Sequence, residues 1–486
     1  MYRGILARIA RASGTVVAIA LAASLSLPST AAQAQSGGSK LSKHDRELIA
    51  LARVNGESHV TLLIAAKNGA AGSLSSGVTA LGGTIGFSEA DIGYVRASVP
   101  LDTAEQVAAL SSVQAIEVNE VIPIGDPAPD GSVNPTPQTP PSAATPRNNP
   151  YMPVVDTGAA QFTADHPTWD GRGTTIGIID SGVTLDHPSL LTTSTGERKI
   201  VDWVTYTSPI EDPDPTWVAM NTRVSGSTFI TNGVTYIAPR NTSFRFGLFN
   251  ERDPNLGGEV GNDVNRDGNP AGSSGIFAVL WHLDSETVWV DTNQNNSFAD
   301  DLGMQPYKQD YDVNYFGTDN PTTAVAERMP FVVQTDRIQA PGAAKQYWVN
   351  IGIVDAAHGS HVAGITAANA MFGGQMSGAA PGAKLVSVRV CLFGGGCTAY
   401  ALIEGMIYAA KYADVDVINM SIGGLPSLND GNNARAELYN RLIETYNVQM
   451  FISAGNSGAG MNTVGDPSVA TLVMSVGTYI SDETWR

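Results

Sequence analysis

The sequence predicts an α/β fold in which helices cover both faces of a parallel β-sheet. A small α+β unit precedes this fold, and a β-rich insertion interrupts it. Three observations support the prediction. Apolar runs of strand length alternate with helical segments from residue 384 onward, a pattern typical of parallel sheets. A strand–helix–strand–strand–helix–strand pattern lies before residue 124, and aromatic, strand-like segments lie between residues 189 and 350.

The N-terminus has the pattern of a secretory signal peptide. Three arginines within the first eleven residues precede an apolar run over 16–27, and the small-residue stretch Ala32-Gln33-Ala34 follows it. This order of charged, apolar and small residues is typical of exported proteins, and the run is too short to be a secure membrane span. We therefore predict a signal peptide over 1–34 and secretion to the extracellular space or the periplasm.

The α+β unit is predicted over residues 59–124. Its order of elements is that of the split ferredoxin-like fold. Its strands are predicted at 59–66, 83–87, 94–99 and 113–122, with helices at 73–81 and 101–110. Residues 125–150, which hold eight prolines among small polar residues, are predicted to be an extended linker.

Charge and cysteine content narrow the possible partners. The net charge of −18 argues against nucleic acid or an anionic membrane surface as a partner. The two cysteines, Cys391 and Cys397, lie six positions apart around a glycine-rich loop. In an exported protein this spacing favours a disulfide, with a pair of free thiols as the alternative.

Three polar side chains each stand at an end of a predicted element. Asp180 ends an apolar strand and precedes a Ser-Gly turn, and His358 begins an apolar helix. Asn456 follows another apolar strand and is flanked by a glycine. A carboxylate, an imidazole and an amide donor are three parts of a serine-hydrolase site. Considered separately, Asp180 could instead be a helix cap or turn residue, His358 a buried structural histidine, and Asn456 a turn residue.

Four motifs resemble those of the subtilisin family (subtilases) and occur in that family's order. They are Asp-Ser-Gly-Val from Asp180, His-Gly-Ser-His-Val-Ala-Gly from His358, Val-Ile-Asn-Met-Ser-Ile-Gly-Gly from Val417 and Ser-Ala-Gly-Asn from Ser453. The resemblance covers roughly residues 151–483 and predicts a subtilisin-like peptidase domain over 151–486. It implies that Asp180 orients the base, that His358 is the general base and that Asn456 donates to the oxyanion.

The resemblance also implies a nucleophilic serine on a later Gly-Thr-Ser-Met-Ala-like helix start. No such motif occurs up to Arg486. Ser360 and Ser457 lie near the site motifs but lack that context. We therefore expect that the chain stops before its nucleophile and is inactive as it stands.

Substrate binding and inhibition are further implications of the resemblance. Gly394, Gly395 and Gly396 on one side, and Ser421, Ile422 and Gly423 on the other, match the family's two edges around an extended peptide. Small residues leave backbone groups free for strand addition. The unit over 59–124 resembles the family's propeptide, which implies an intramolecular inhibitor beside the peptide or protein substrate; an unrelated small domain is the alternative.

The insertion, predicted over 189–350, places 178 positions between Asp180 and His358. Its size resembles the tripeptidyl-peptidase-II-like branch of the family. Two acidic loops carry oxygen side chains at alternate positions: Asp263, Asn265 and Asp267 in the first, and Asp291, Asn293 and Asn295 in the second. Calcium loops begin in this way, but the closing glutamate is absent, so the alternatives are a structural calcium site and a solvated turn. No other cofactor is expected.

These features predict the precursor of a secreted, subtilisin-like serine endopeptidase. A tripeptidyl exopeptidase is the alternative within the same chemistry. A non-catalytic peptide-binding or adhesion protein on the same scaffold is the alternative from another class, although such a protein has no chemical need for Asp180, His358 and Asn456 together.

Overall fold

The computed structural model describes residues 40–124, 154–256, 275–318, 328–339, 344–425 and 429–478. The predicted signal peptide, the predicted linker and the first acidic loop, with Asp263, Asn265 and Asp267, lie outside the described residues. Among the described helices, none has the length and apolar character needed to cross a membrane.

The N-terminal unit has the predicted ferredoxin-like arrangement. Its elements are α1 (Lys43–Val54), β1 (His59–Ala66), α2 (Ala71–Ala80), β2 (Thr84–Glu89), β3 (Tyr94–Pro100), the 3₁₀ turn Leu101–Thr103, α3 (Ala104–Ala108) and β4 (Val113–Val118). The sheet has the order β2-β3-β1-β4, with every neighbouring pair antiparallel. The additional helix α1 precedes the predicted unit and is capped by Ser42, which exchanges hydrogen bonds with Asp45.

The last predicted strand of this unit, 113–122, is divided in the structure. β4 ends at Val118, and a second short strand, β5 (Val121–Ile122), pairs with the peptidase domain instead of with the N-terminal sheet. Asn119 and Glu120 separate the two pieces in the sequence, but they do not show that the pieces join different sheets, because each piece buries an apolar side chain: Val118 is 4% exposed and Ile122 is 2% exposed.

The remaining elements alternate between the peptidase domain and the insertion. They are α4 (Ala159–Asp165), β6 (Thr175–Asp180), the 3₁₀ turn Pro188–Leu190, β7 (Ile200–Thr205), β8 (Trp217–Ala219), β9 (Thr222–Thr231), β10 (Val234–Asn250), β11 (Ile276–His282), β12 (Thr287–Val290), α5 (Tyr307–Asp310), β13 (Asn314–Phe316), β14 (Met329–Ile338), β15 (Gln346–Gly352), α6 (Ala357–Ala367), α7 (Met371–Gly374), β16 (Lys384–Arg389), β17 (Cys391–Leu392), β18 (Gly396–Thr398), α8 (Ala399–Ile407), the π-helical turn Tyr408–Tyr412, β19 (Val417–Met420), α9 (Ala434–Tyr446), β20 (Gln449–Ser453) and β21 (Met474–Val476).

The peptidase domain is built on a six-stranded sheet of order β21-β20-β19-β6-β16-β7. Each neighbouring pair in it is parallel, which confirms the predicted fold class. The apolar side chains of β6, β16, β19 and β20 are buried between α8 and α9 on one face and α6 on the other. Since parallel strands end at one edge, the residues after β6, β19 and β20 share the carboxyl edge of the sheet.

The predicted start of the insertion, residue 189, is wrong. β7 lies inside the range 189–350 but forms the edge strand of the parallel sheet beside β16. Its sequence, Ile-Val-Asp-Trp-Val-Thr, is rich in apolar and aromatic residues like the strands of the insertion, and sequence alone does not show which sheet an isolated strand joins. The inserted chain therefore begins after Thr205.

The insertion consists of two four-stranded sheets. One has the order β12-β11-β10-β9, and the other has the order β13-β14-β15-β8. An apolar core that includes Phe277, Trp281, Phe316 and Phe331 lies between strands of both sheets, as the aromatic segments predicted. Phe393, from the loop between β17 and β18, packs against this core, so the insertion directly supports that loop.

A buried ion pair also ties the insertion to the parallel sheet. Arg389 ends β16, and its Nη2 lies 2.8 Å from Oδ2 of Asp214 in the insertion, with both side chains fully buried. The guanidinium also donates to Thr216, Thr205 and the carbonyl of Cys391. A buried charge needs such partners, because loss of water would otherwise be costly.

Asp214→Asn is expected to lower the free energy of unfolding by about 3–5 kcal/mol, because it leaves the Arg389 charge buried without a counter-charge. Chemical denaturation of the full chain measures this change. Glu197→Gln is the control, since Glu197 pairs with Lys384 at the surface and exposed pairs contribute little. Equal small effects of both substitutions would contradict a structural role for the buried pair.

Candidate active site

Asp180 lies where β6 ends, at the carboxyl edge of the parallel sheet. Its side chain is fully buried, and its Oδ1 accepts a hydrogen bond from the backbone N–H of Ser181 at 2.7 Å. The strand is held on both sides, by β16 and β19. Because the backbone at this position is fixed by two neighbouring strands, the carboxylate has a defined place in the site.

His358 is the second residue of α6, and its imidazole faces this carboxylate. Nδ1 of His358 lies 2.7 Å from Oδ1 of Asp180. A carboxylate oxygen only accepts, so Nδ1 carries the proton, and the lone pair of the neutral ring is on Nε2. The structure thus brings together two of the three residues that the sequence placed in a catalytic site.

The Asp180 carboxylate raises the pKa of His358 above its ordinary value. The hydrogen bond between the two side chains is the main cause, with their charge attraction adding to it and partial burial opposing it. A raised pKa means that the imidazolium is stabilised. This is the form that a general base takes once it has accepted a proton.

Close packing fixes the start of α6 against the turn after Asp180. A Cβ on Gly359 would lie 2.3 Å from the carbonyl oxygen of Gly182, so only glycine fits there. Ser181 bridges the two segments, because its hydroxyl donates to the carbonyl of Ala356 and accepts from the N–H of Gly359, each at 2.9 Å. These contacts place His358 opposite Asp180.

Ser181 and Thr184 are positioning residues that the sequence analysis missed. Thr184 donates its backbone N–H to the hydroxyl of Ser360 at 2.8 Å, and the two hydroxyls are also hydrogen-bonded. Ser360 is thereby engaged in holding α6. The small polar residues after Asp180 were interpreted only as a turn, and nothing in the sequence indicated that they reach 175 positions along the chain to Ala356.

One predicted edge of the substrate groove is occupied by the chain's own N-terminal unit. β18, which begins at Gly396, pairs antiparallel with β5, so that Cys397 faces Ile122. The N–H of Ala399 donates to the carbonyl of Glu120 at 2.9 Å. A Cβ on Gly396 would lie 2.3 Å from the carbonyl oxygen of Ile122, so the close approach of β5 depends on glycine here.

The disulfide predicted beside this edge is present, since Cys391 and Cys397 are bonded. The two cysteines face each other across the pairing of β17 with β18. Both are fully buried. The bond therefore fixes β18 to the strand that leaves the parallel sheet, and Gly394 and Gly395 form the connecting turn.

The second predicted edge, Ser421 to Gly423, follows β19. Ile422 is buried in the same apolar cluster as Ile122, and a Cβ on Gly424 would lie 3.7 Å from Cγ2 of Ile122, so the Ile122 side chain also approaches the chain just after this second edge. Just after this segment, Gly424 and Asp466 exchange two backbone hydrogen bonds, in which each N–H donates to the carbonyl of the other residue. The chain after β20 therefore stabilises this edge.

Asn456 lies three residues beyond the end of β20, in an exposed loop. It stands at the same carboxyl edge as Asp180, because β19 lies between β20 and β6. A role as oxyanion donor stays a prediction. Ser457, next to it, is also exposed.

The second acidic loop is held by its own hydrogen bonds. Asp291 accepts from the N–H of Asn295, and the amides of Asn293 and Asn295 both donate to Asp300. Burial and the neighbouring charges of Asp291 and Asp300 raise the pKa of Asp301 to about 7. In the described parts of the chain, no group of three or more His, Cys, Asp or Glu could hold a metal ion. Calcium binding by this loop stays a prediction.

Comparisons with known proteins agree with this geometry. The family model described as Subtilase family matches residues 171–484, and the model of a peptidase inhibitor domain matches residues 47–119. The second match spans β1 to β4 of the ferredoxin-like unit and ends before β5, and it supports the interpretation of this unit as a propeptide.

Individual relatives have much longer chains. Pyrolysin of Pyrococcus furiosus is 28% identical over 371 residues, which are 64% of this chain and 25% of pyrolysin. Tripeptidyl-peptidase 2 of Caenorhabditis elegans is 36% identical over 213 residues, 42% of this chain and 14% of that protein. A crystal structure of tripeptidyl peptidase 2 aligns with 68% of this chain and 30% of its own, at 21% identity and a TM-score of 0.49. The chain thus spans a quarter or less of the length of these two curated relatives.

Asp180→Asn is expected to lower the pKa of His358, because it removes the charge that stabilises the imidazolium. Since the wild-type pKa is raised, the imidazolium persists to higher pH in the wild type and is lost at lower pH in the variant. A pH titration of the histidine ring signals by NMR measures both values in the chain as it stands.

Asp102→Asn is the control, since Asp102 pairs with Arg53 at the surface of the N-terminal unit and does not contact His358; it should leave the pKa of His358 as in the wild type. An unchanged pKa of His358 in Asp180→Asn would contradict the electrostatic role of Asp180.

Proposed function

The chain belongs to the subtilase family of serine peptidases, and on this basis we propose that it is the precursor of a secreted endopeptidase. The observation that carries the proposal is the hydrogen bond between His358 and buried Asp180, at the carboxyl edge of a subtilisin-like sheet. A binding protein on this scaffold has no chemical use for a buried carboxylate aligned with an imidazole.

The proposed reaction is acyl transfer to a nucleophilic serine, which the order of the family motifs places after the strand β21. His358 takes the proton from the serine hydroxyl through Nε2 while the serine oxygen attacks the peptide carbonyl. Asp180 keeps Nδ1 protonated and stabilises the imidazolium. His358 then gives the proton to the leaving amine, and water hydrolyses the acyl-enzyme by the same route.

Asn456 is proposed to donate a hydrogen bond to the oxyanion of the tetrahedral intermediate. Such a donor contributes about 3–4 kcal/mol to lowering the barrier. Its place after β20, with Gly455 before it, is the place that the family motif assigns to this role.

Residues 59–124 are proposed to act as an intramolecular inhibitor. The pairing of β5 with β18 is the strand addition that an extended substrate would make, and the Ile122 side chain also approaches Gly424, just after the second predicted edge. The peptidase therefore stays closed to substrate until the chain is cut after β5 and this segment leaves.

An endopeptidase is favoured over an exopeptidase, because export and a covalent inhibitor suit general extracellular proteolysis. Tripeptidyl-peptidase 2 among the relatives supports the alternative. Peptides with a blocked amino terminus distinguish the two: an endopeptidase cleaves them internally, and a tripeptidyl peptidase leaves them intact.

His358→Ala is expected to lower kcat of the complete protein, with its nucleophilic serine, by several orders of magnitude with little effect on Tm. The cause is loss of the general base. His361→Ala is the matched control and should keep near-normal kcat. Near-normal turnover in His358→Ala would exclude the triad assignment.

Ile122→Asp in the complete protein is expected to weaken inhibition by the N-terminal unit, because it places a charge in an apolar pocket. Activity should appear earlier in a time course of activation. Val121→Asp is the control, since Val121 is 45% exposed and should change the lag much less. An unchanged lag in Ile122→Asp would contradict occupancy of the groove by β5.

A further inference from the structure

A buried arginine joins the N-terminal unit, the peptidase domain and the insertion at one point. Arg96, on β3, extends from the N-terminal sheet and is 8% exposed. It meets Glu404 and Tyr400, both on α8, and Glu211, which lies in the inserted chain after β7. We refer to Tyr400, Glu404 and Glu211 as the Arg96 socket.

The socket contacts all three nitrogens of the guanidinium. Nε donates to Oε1 of Glu404 at 2.7 Å, and Nη2 donates to Oε2 of the same carboxylate at 3.3 Å. Nη1 donates to Oε1 of Glu211. A two-point contact with one carboxylate and a third contact with another match the planar fork of arginine, which a lysine ammonium cannot reproduce.

The face of the guanidinium lies over an aromatic ring. Cζ of Arg96 is 4.4 Å from the centroid of the Tyr400 ring, a distance at which cation and ring attract each other. The hydroxyl of Tyr400 donates to Asp212, which also accepts from the N–H of Ser208. Asp212 therefore fixes the ring from the side of the insertion.

Without Arg96, the socket would hold acidic side chains close together. Glu404 is 5% exposed, and its burial raises its pKa to about 7, with repulsion from Glu211 adding to this and Arg96 opposing it. Burial likewise raises the pKa of Asp212 to about 6. Carboxylates in this setting are stabilised by a cation with several donors.

Other ion pairs across the same interface have the opposite polarity. Lys411 of the peptidase domain pairs with Glu89 and Asp91 of the N-terminal unit, at 2.9 and 2.8 Å. Arg435 of the peptidase domain pairs with Glu117 at 3.1 Å. A cation from the N-terminal unit therefore fits at the socket and would be repelled at these other two points, which fixes how the unit docks.

The socket also forms part of the wall of a cavity of about 670 Å³. The three parts of the chain share this cavity: Phe87 lines it from the N-terminal unit, Tyr206 from the loop after β7, and Gln334 from β14 of the insertion. Glu211 contacts the N-terminal unit at a second point beside this cavity, because it also accepts from the hydroxyl of Thr61 at 3.2 Å.

We propose that Tyr400, Glu404 and Glu211 form an arginine-recognition site that selects Arg96 as the anchor of the propeptide. The insertion thereby takes part in recognising the inhibitor through Glu211. This inference rests on the proposed function of residues 59–124 as an inhibitor. The socket recognises the planar guanidinium of Arg96, with its several donors, and not only its positive charge.

Hydrogen exchange of the full chain tests the proposal, because it reports local opening without requiring hydrolysis. Arg96→Lys keeps the charge and removes the fork, and the opening constant of the β3 amides is expected to rise about tenfold. Glu211→Gln should have a similar effect on the β3 amides. Glu211 lies in a partly exposed loop, so this variant tests the socket without a substitution at buried Glu404, which could prevent folding. Arg53→Lys is the control, since Arg53 pairs with Asp102 at the surface of the same unit.

Unchanged β3 exchange in Arg96→Lys would overturn the proposal, as would an equal rise in Arg53→Lys. Failure of the proposed function gives a different result: Arg96→Lys loosens β3, but Ile122→Asp leaves the activation lag of the complete protein unchanged. In that case the site binds the guanidinium, and the N-terminal unit is not the inhibitor.

Discussion

The hydrogen bond between His358 and Asp180 requires that two distant parts of the chain be held in fixed positions. It joins two residues 178 positions apart with 2.7 Å between Nδ1 and Oδ1. Such a contact forms only if the end of β6 and the start of α6 are each fixed. Neighbouring parallel strands fix the first, and the Ser181 hydroxyl together with the Gly359 close approach fixes the second. An error of about 1 Å at this point would cost catalytic efficiency.

The inserted chain between these two residues supports the site instead of merely lengthening a loop. The buried pair of Arg389 and Asp214 ties it to the strand beside Asp180. Phe393 ties its core to the loop before β18, the strand that binds β5. One consequence is that the predicted substrate edge, Asp180 and the insertion are held together by direct contacts, and the Arg96 socket adds the N-terminal unit to the same set.

Local sequence patterns predicted those parts of the fold that local patterns determine. The apolar run ending at Asp180 predicted β6, because a strand buried on both faces has few polar residues. The family motifs identified Asp180 and His358. Asn119 and Glu120 mark a break between β4 and β5, but nothing in the sequence shows that Val121 and Ile122 join another sheet. Arg96, Glu211 and Glu404 are single charged residues far apart in the chain, and no spacing rule relates them. Asn456 and the calcium loops remain predictions from motif alone.

The tautomer of His358 is the most direct test of the central claim that Asp180 orients the general base. Nitrogen-15 NMR of the full chain, at a pH above the pKa of His358, distinguishes the two neutral forms of the ring. The structure predicts a proton on Nδ1, shared with Asp180, and a free lone pair on Nε2. A proton on Nε2 instead would contradict the claim, because the nitrogen required to accept the serine proton would already be occupied.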